Sequence, residues 1–216
     1  MKIRYENEVV ISIDGLRLMG NLLVPDGAKA IIIFSHGSGS SRFSKRNQEV
    51  AKQLQQHRFG TLLLDLLTPD EDKDYQNRFD IELLKERLIA VTEWLKRLPA
   101  TKGTIIGYFG ASTGAASALK AAANMPDIFA VVSRGGRPDL AMEDLPQVTA
   151  PTLLIVGSLD QQVLKLNQEA YQKLQCEKHL EIVGGASHLF EEPGKLEKVG
   201  ELALGWFTDH IPAMMA

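Results

Sequence analysis

A single cysteine stands among 216 residues, so no disulfide can form within the chain. That residue, Cys176, follows Leu174 and Gln175 at the end of an expected helix and reads as a packing residue, because a reactive thiol needs a lowered pKa. No apolar run approaches the ~20 residues of a membrane-spanning helix. The stretch from Met1 to Glu6 lacks the apolar core of a signal peptide. A soluble, cytoplasmic protein with no membrane partner is expected. Basic residues hold no excess either: 24 Lys and Arg stand against 27 acids, a net charge of −3. This excludes the basic face that a nucleic-acid partner requires. There is no repeat, linker or low-complexity segment, and a 44% hydrophobic content excludes a disordered chain. A single globular domain over residues 1–216 is expected, acting on a small molecule as a monomer or homodimer.

What the chain does have is strands alternating with helices. Val9–Ile13 and Leu16–Val24 read as a hairpin about Asp14-Gly15. Ala30–Ser35, Phe59–Leu64 and the run from Thr104 to Phe109 are short and apolar, followed by Phe129–Ser133, Thr152–Val156 and Leu180–Val183. Such runs suit strands covered on both faces. Between them lie helical stretches over Ser44–His57, Phe79–Leu98, Ala115–Ala123, Val163–Leu174 and Lys195–His210, with Ile211–Ala216 fraying. Ile81, Leu84, Leu88, Val91 and Leu95 recur at helical spacing, and Pro99 stops that helix. The acidic run over Thr68–Asn77 reads as a solvated loop rather than a metal site. Eight strands are counted, mostly parallel with an antiparallel hairpin at the N-terminal edge and helices on both faces.

The centre of this pattern is Gly110-Ala111-Ser112-Thr113-Gly114. A G-x-S-x-G sequence between a strand and a helix forms a sharp turn that lifts the serine oxygen above the sheet. Side chains at positions 110 and 114 would meet neighbouring backbone, so glycine stands at both. Thr113 presents its backbone N–H at a helix start, where donors lack intrahelical acceptors. A glycine-rich turn into a helix also suits a phosphate. That rival predicts an acid about 20 residues on, at a strand end. Asp127 lies before the next strand instead.

In a parallel sheet, working residues gather beyond the C-terminal strand ends. Ser112, Asp160 and His188 occupy three such ends, in the chain order of a hydrolase triad. A serine hydroxyl needs a base in contact. Histidine titrates near neutrality, and a carboxylate fixes its tautomer and stabilises the imidazolium. Asp160 could instead cap the following helix. His36 is the competing base, read as shaping its own loop; His57, His179 and His210 are read as structural. The loop His36-Gly37-Ser38-Gly39 follows the third strand, and the Ser38 N–H is the expected partner of the Thr113 N–H in an oxyanion hole. Arg134, Arg137 and Arg42 lie near strand ends, where an arginine fork would suit an acidic substrate group. The chemistry calls for no metal or organic cofactor.

The H-G-S-G loop, the G-A-S-T-G turn, Asp160 and His188 together resemble the α/β-hydrolase superfamily over the whole chain. The small size and minimal cap resemble the dienelactone hydrolase family. That resemblance implies an α/β-hydrolase fold and ester or lactone hydrolysis. The chain departs from the family at two places. Ser112 stands where dienelactone hydrolases commonly carry cysteine, and Gly15–Pro25 holds no acid where they use a glutamate. HGSGSSR, GYFGASTGA and SRGGRPDL also resemble small bacterial hydrolases sometimes fused to phosphoribosyltransferases. No phosphoribosyl-diphosphate motif occurs in the sequence, so that partner domain is expected to be missing. The reading is therefore a serine hydrolase of small esters or lactones. The alternative is a hydrolase-fold binding or regulatory module with little activity.

Overall fold

The computed structural model describes residues 2–13 and 15–213. Its strands are β1 (Ile3–Ile13), β2 (Leu16–Pro25), β3 (Ala30–Ser35), β4 (Gly60–Leu64), β5 (Ile105–Ala111), β6 (Ile128–Arg134), β7 (Thr152–Gly157) and β8 (Lys178–Val183). They form one sheet in the order β1-β2-β4-β3-β5-β6-β7-β8. β2 runs antiparallel to both of its neighbours. Every pair from β4 through β8 is parallel. Of the expected Asp14-Gly15 turn, Asp14 lies outside the described residues. Gly15 takes a φ of 83°, a conformation that glycine adopts without strain. Of the expected fray over Ile211–Ala216, residues 214–216 also lie outside them.

Strand alternation builds the core. Ile31 and Ile33 of β3 enter one apolar cluster, and Ala30, Ile32 and Phe34 enter another. Successive side chains point to opposite faces, so a run apolar at every position is covered on both sides. The helices α1 (Lys45–Gln56) and α5 (Lys195–Asp209) close the Phe34 face with Val50, Leu54, Val199 and Phe207. On the Ile31 face lie α2 (Ile81–Lys96), α3 (Thr113–Asn124) and α4 (Gln161–Lys173). They contribute Leu84, Leu88, Leu119 and Ala170 to the cluster there. Fully burying one such large side chain stabilises the fold by about 1.5–3 kcal/mol.

Local chemistry fixes where helices begin. The Ser44 side chain accepts the Asn47 N–H and caps α1, while Asp80 accepts the Leu83 N–H and caps α2. The second helix therefore starts at Ile81, not at Phe79. The acidic run is not a simple solvated loop. It forms 3-10 turns over Glu71–Lys73 and Tyr75–Phe79. Arg78 binds Asp72 at 2.8 Å and Arg87 binds Glu71 at 2.7 Å, tying the segment down. The crossover from β6 to β7 carries only 3-10 turns, over Pro138–Ala141 and Leu145–Gln147. No helix among the described residues is long and apolar enough to cross a membrane.

Candidate active site

The C-terminal ends of β3, β5, β6, β7 and β8 open on one edge of the sheet. The turn after β5 is set by close approach. A Cβ on Gly110 would lie 2.4 Å from Ala115 Cα, and one on Gly114 would lie 2.2 Å from Ser35 O. Only glycine fits between backbones that near. Ser112 itself takes φ 52° and ψ −122°, left-handed for a residue with a side chain, a strain of order 1–3 kcal/mol. The surroundings hold it there: its N–H donates to Arg134 O at 3.2 Å, and its carbonyl accepts the Ala115 and Arg137 N–H groups. Ser112 makes no side-chain cap to α3, so its hydroxyl stands free at the head of the helix.

Asp160 heads α4 but gives that helix no side-chain cap. Its Oδ2 binds His188 Nδ1 at 2.6 Å instead. The capping alternative for Asp160 is thereby answered. This bond leaves Nε2 as the ring nitrogen without a partner among the described residues. The Asp160 side chain is 15% exposed and that of His188 is 39% exposed, so the acid is covered while the imidazole faces open space. Gly135 packs against the ring: a Cβ there would lie 3.5 Å from His188 Cε1 and Nδ1. Ser112 and His188 line one cavity of about 260 Å³. No hydrogen bond joins them among the described residues; such contacts often tighten only with substrate bound.

His36 is engaged elsewhere. Its Nδ1 donates to Gly37 O at 2.9 Å, and its Nε2 accepts the Leu66 N–H at 3.2 Å. Burial pushes its pKa below the usual histidine value, against the raising effects of Gly37 O, Asp65 and Asp72. Both nitrogens are therefore committed to shaping the loop. Ser38 reaches the cavity wall, and its N–H donates to Thr113 Oγ1 at 2.8 Å. The sequence did not anticipate that bond, which clasps the His36–Gly39 loop to the turn. Thr113 is 3% exposed, with its N–H at the start of α3.

The arginines divide. Arg134 closes β6, is 6% exposed and lines the cavity with Ser112 and His188. Its Nε is buried without a partner. Burial, and next the charge of Arg46, pushes its pKa down to about 10, so it stays cationic at neutral pH. Arg42 and Arg137 depart from the sequence expectation of a substrate contact. Arg42 is bound to Asp65 and to Glu8, and it lines a separate hollow. Arg137 holds Asp139 through two bonds of 2.9 and 2.8 Å and does not line the cavity. Both guanidiniums are already paired with acids. The sequence reading missed Arg46 and Asn47, which also line the cavity. The signal for them was the short loop between β3 and the Ser44 cap, which forces the start of α1 close to the strand ends.

A β1-β2-β4-β3-β5-β6-β7-β8 sheet with a strained serine turn after β5 and a bonded Asp-His pair after β7 and β8 defines the α/β-hydrolase fold. Within it, the chain belongs to the dienelactone hydrolase family, whose family model matches residues 18–203. A dienelactone hydrolase from Anabaena variabilis of known structure is 50% identical, with a TM-score of 0.94 over 98% of this chain and all of that one. Est1E from Butyrivibrio proteoclasticus shares the fold at 18% identity, with a TM-score of 0.81 over 94% of this chain and 98% of its own. A Mycobacterium tuberculosis protein provisionally named a phosphoribosyl transferase is 54% identical over 207 residues. Those residues are 95% of this chain and 47% of the relative, so the chain spans about half the length of the curated relatives it matches.

Proposed function

We propose that the chain is a serine hydrolase of small-molecule esters or lactones, with Ser112 as nucleophile, His188 as base and Asp160 as its orienting acid. The observation that carries this reading is the 2.6 Å bond from His188 Nδ1 to Asp160, made where Asp160 forgoes capping its own helix, with Ser112 on the same cavity. The bond holds the ring in one tautomer and leaves Nε2 to accept a proton.

In the first step Ser112 Oγ attacks the carbonyl carbon and His188 Nε2 takes the serine proton. The carbonyl oxygen becomes an oxyanion beside the Thr113 N–H, with Ser38, whose N–H is held by Thr113 Oγ1, on the wall of the same cavity. His188 returns the proton to the leaving alcohol, and the acyl group stays on Ser112. Water then attacks that ester with His188 as base, releasing the acid and restoring the serine. One oxyanion donor contributes roughly 10²–10³ in rate, and positioned proton transfer roughly 10²–10⁴.

The mycobacterial relatives' name covers chains about twice the matched length, and the groups gathered here suit acyl transfer. A fluorophosphonate probe and a panel of p-nitrophenyl esters, lactones and thioesters test the proposal. The expected result is labelling at Ser112, turnover of at least one ester class, and loss of both in Ser112→Ala and His188→Ala. Stable protein with neither labelling nor turnover favours the binding-module alternative.

A further inference from the structure

Arg134 is the least explained group beside the nucleophile. A guanidinium taken out of water without a partner is unfavourable, yet Arg134 is 6% exposed and its guanidinium has no hydrogen bond or ion pair among the described residues. It sits in the wall of the cavity that holds Ser112 and His188. The N-terminal turn of α1 lines the same cavity, through Ser44, Arg46 and Asn47. That helix has 12 residues, and the Ser44 side chain takes only the Asn47 N–H. The first N–H groups of a helix have no intrahelical acceptor and carry the positive end of its dipole. Arg46, in the same turn, lines the cavity too. Its ion pair, with Glu191 at 3.1 Å, involves a carboxylate whose side chain is 63% exposed. Two guanidiniums and a helix start thus converge on one side of the nucleophile. Like charges this close repel, and Arg46 already depresses the Arg134 pKa.

We propose that this wall is an anion subsite, in which Arg134, Arg46 and the start of α1 hold an anionic oxygen group of the substrate, a phosphate or a carboxylate. The inference rests on the hydrolase reading of the same cavity and names the substrate class it would take. Bound there, the anion would partner a buried charge that otherwise meets only the Phe190 ring, 6.0 Å from its centroid, so binding and selectivity come from the same contact. A phosphate has three terminal oxygens for three converging donors, where a carboxylate has two, so a phosphorylated substrate is expected to lead.

The test is a matched series of phenyl esters whose acyl chains end in methyl, carboxylate or phosphate, assayed at low ionic strength. Both charged esters are expected to exceed the neutral one in kcat/KM by tenfold or more. Whichever charged ester leads identifies the source of the anion. Arg134→Gln and Arg46→Gln should shrink the charged-to-neutral ratio, while Arg137→Gln, outside the cavity, should keep it. Should Arg134→Gln fail to fold, inorganic phosphate supplies a second readout. It is expected to inhibit the wild-type protein competitively and to raise the Tm of Ser112→Ala. Equal turnover of all three esters with no effect of phosphate overturns the subsite and leaves the hydrolase standing. No turnover of any ester, with phosphate still raising the Tm, overturns the hydrolase and leaves the subsite.

Discussion

The buried Thr113 presents Oγ1 to the Ser38 N–H at 2.8 Å. Thr113→Val keeps the shape and removes the acceptor. Losing such a hydrogen bond costs about 0.5–1.5 kcal/mol, so the unfolding free energy from a urea titration should fall by that amount, and Thr113→Ser should recover most of it. Gly114 has less freedom still, because a Cβ would stand 2.2 Å from the Ser35 carbonyl oxygen. Backbone cannot yield as a side-chain tip does. Gly114→Ala is expected to destabilise by about 3 kcal/mol, the upper end of ordinary overpacking, as read by thermal unfolding. His36 sets a pH dependence. Burial lowers its native pKa, so below about 6.5 the unfolded chain takes up a proton that the folded ring refuses. Its contribution is full above that pH and is lost as pH falls, because a proton on Nε2 would face the Leu66 N–H. Unfolding free energy measured from pH 7.5 to 5 should decline on the acid side, and His36→Asn should flatten that slope.

At the scale of elements, Asp160 separates architecture from chemistry. Since α4 takes no side-chain cap from it, Asp160→Asn should leave the helix and the urea midpoint nearly intact. If the hydrolase proposal holds, kcat should still fall by roughly 10²–10⁴, because an amide no longer fixes the imidazole tautomer. The segment from Glu71 to Phe79 is held by pairs rather than by burial. Arg78 binds Asp72 twice at 2.8 Å and lies beside Gly39. Arg78→Ala is expected to speed amide exchange over residues 68–80 and in the His36–Gly39 loop, with α2 unchanged. The same segment shows where sequence reading stops. Buried strands such as Ala30–Ser35 announce themselves by unbroken apolar composition. β1, in contrast, begins at Ile3 because Glu6, Asn7 and Glu8 pair with β2, a non-local fact invisible in their polarity. Serine, acid and histidine were legible because strand ends in a parallel sheet must converge. Arg42 was not, since its fate was decided by Glu8 of β1 and by Asp65 just past β4.

On the scale of the molecule, one sheet serves two cores. Trp94 packs against the cluster under α2 and α3, and Trp206 against the one under α1 and α5. Neither layer keeps its apolar partner if the sheet opens. The Trp94→Phe and Trp206→Phe variants, each reporting the other layer by fluorescence, should therefore unfold at the same denaturant concentration as the far-UV signal. Separate midpoints would mean that the layers fold as independent units.

The crowding around the Gly110–Gly114 turn also bears on how such a protein can change over generations. The strain and the near-collisions lie in the backbone and at the two glycines, while the Ser112 side chain projects into open cavity. Drift at 110 or 114 is closed off by the fold itself. Exchange of one atom at 112, oxygen for sulfur, meets no such barrier, so lineages sharing this scaffold can alternate between serine and cysteine without rebuilding what surrounds them.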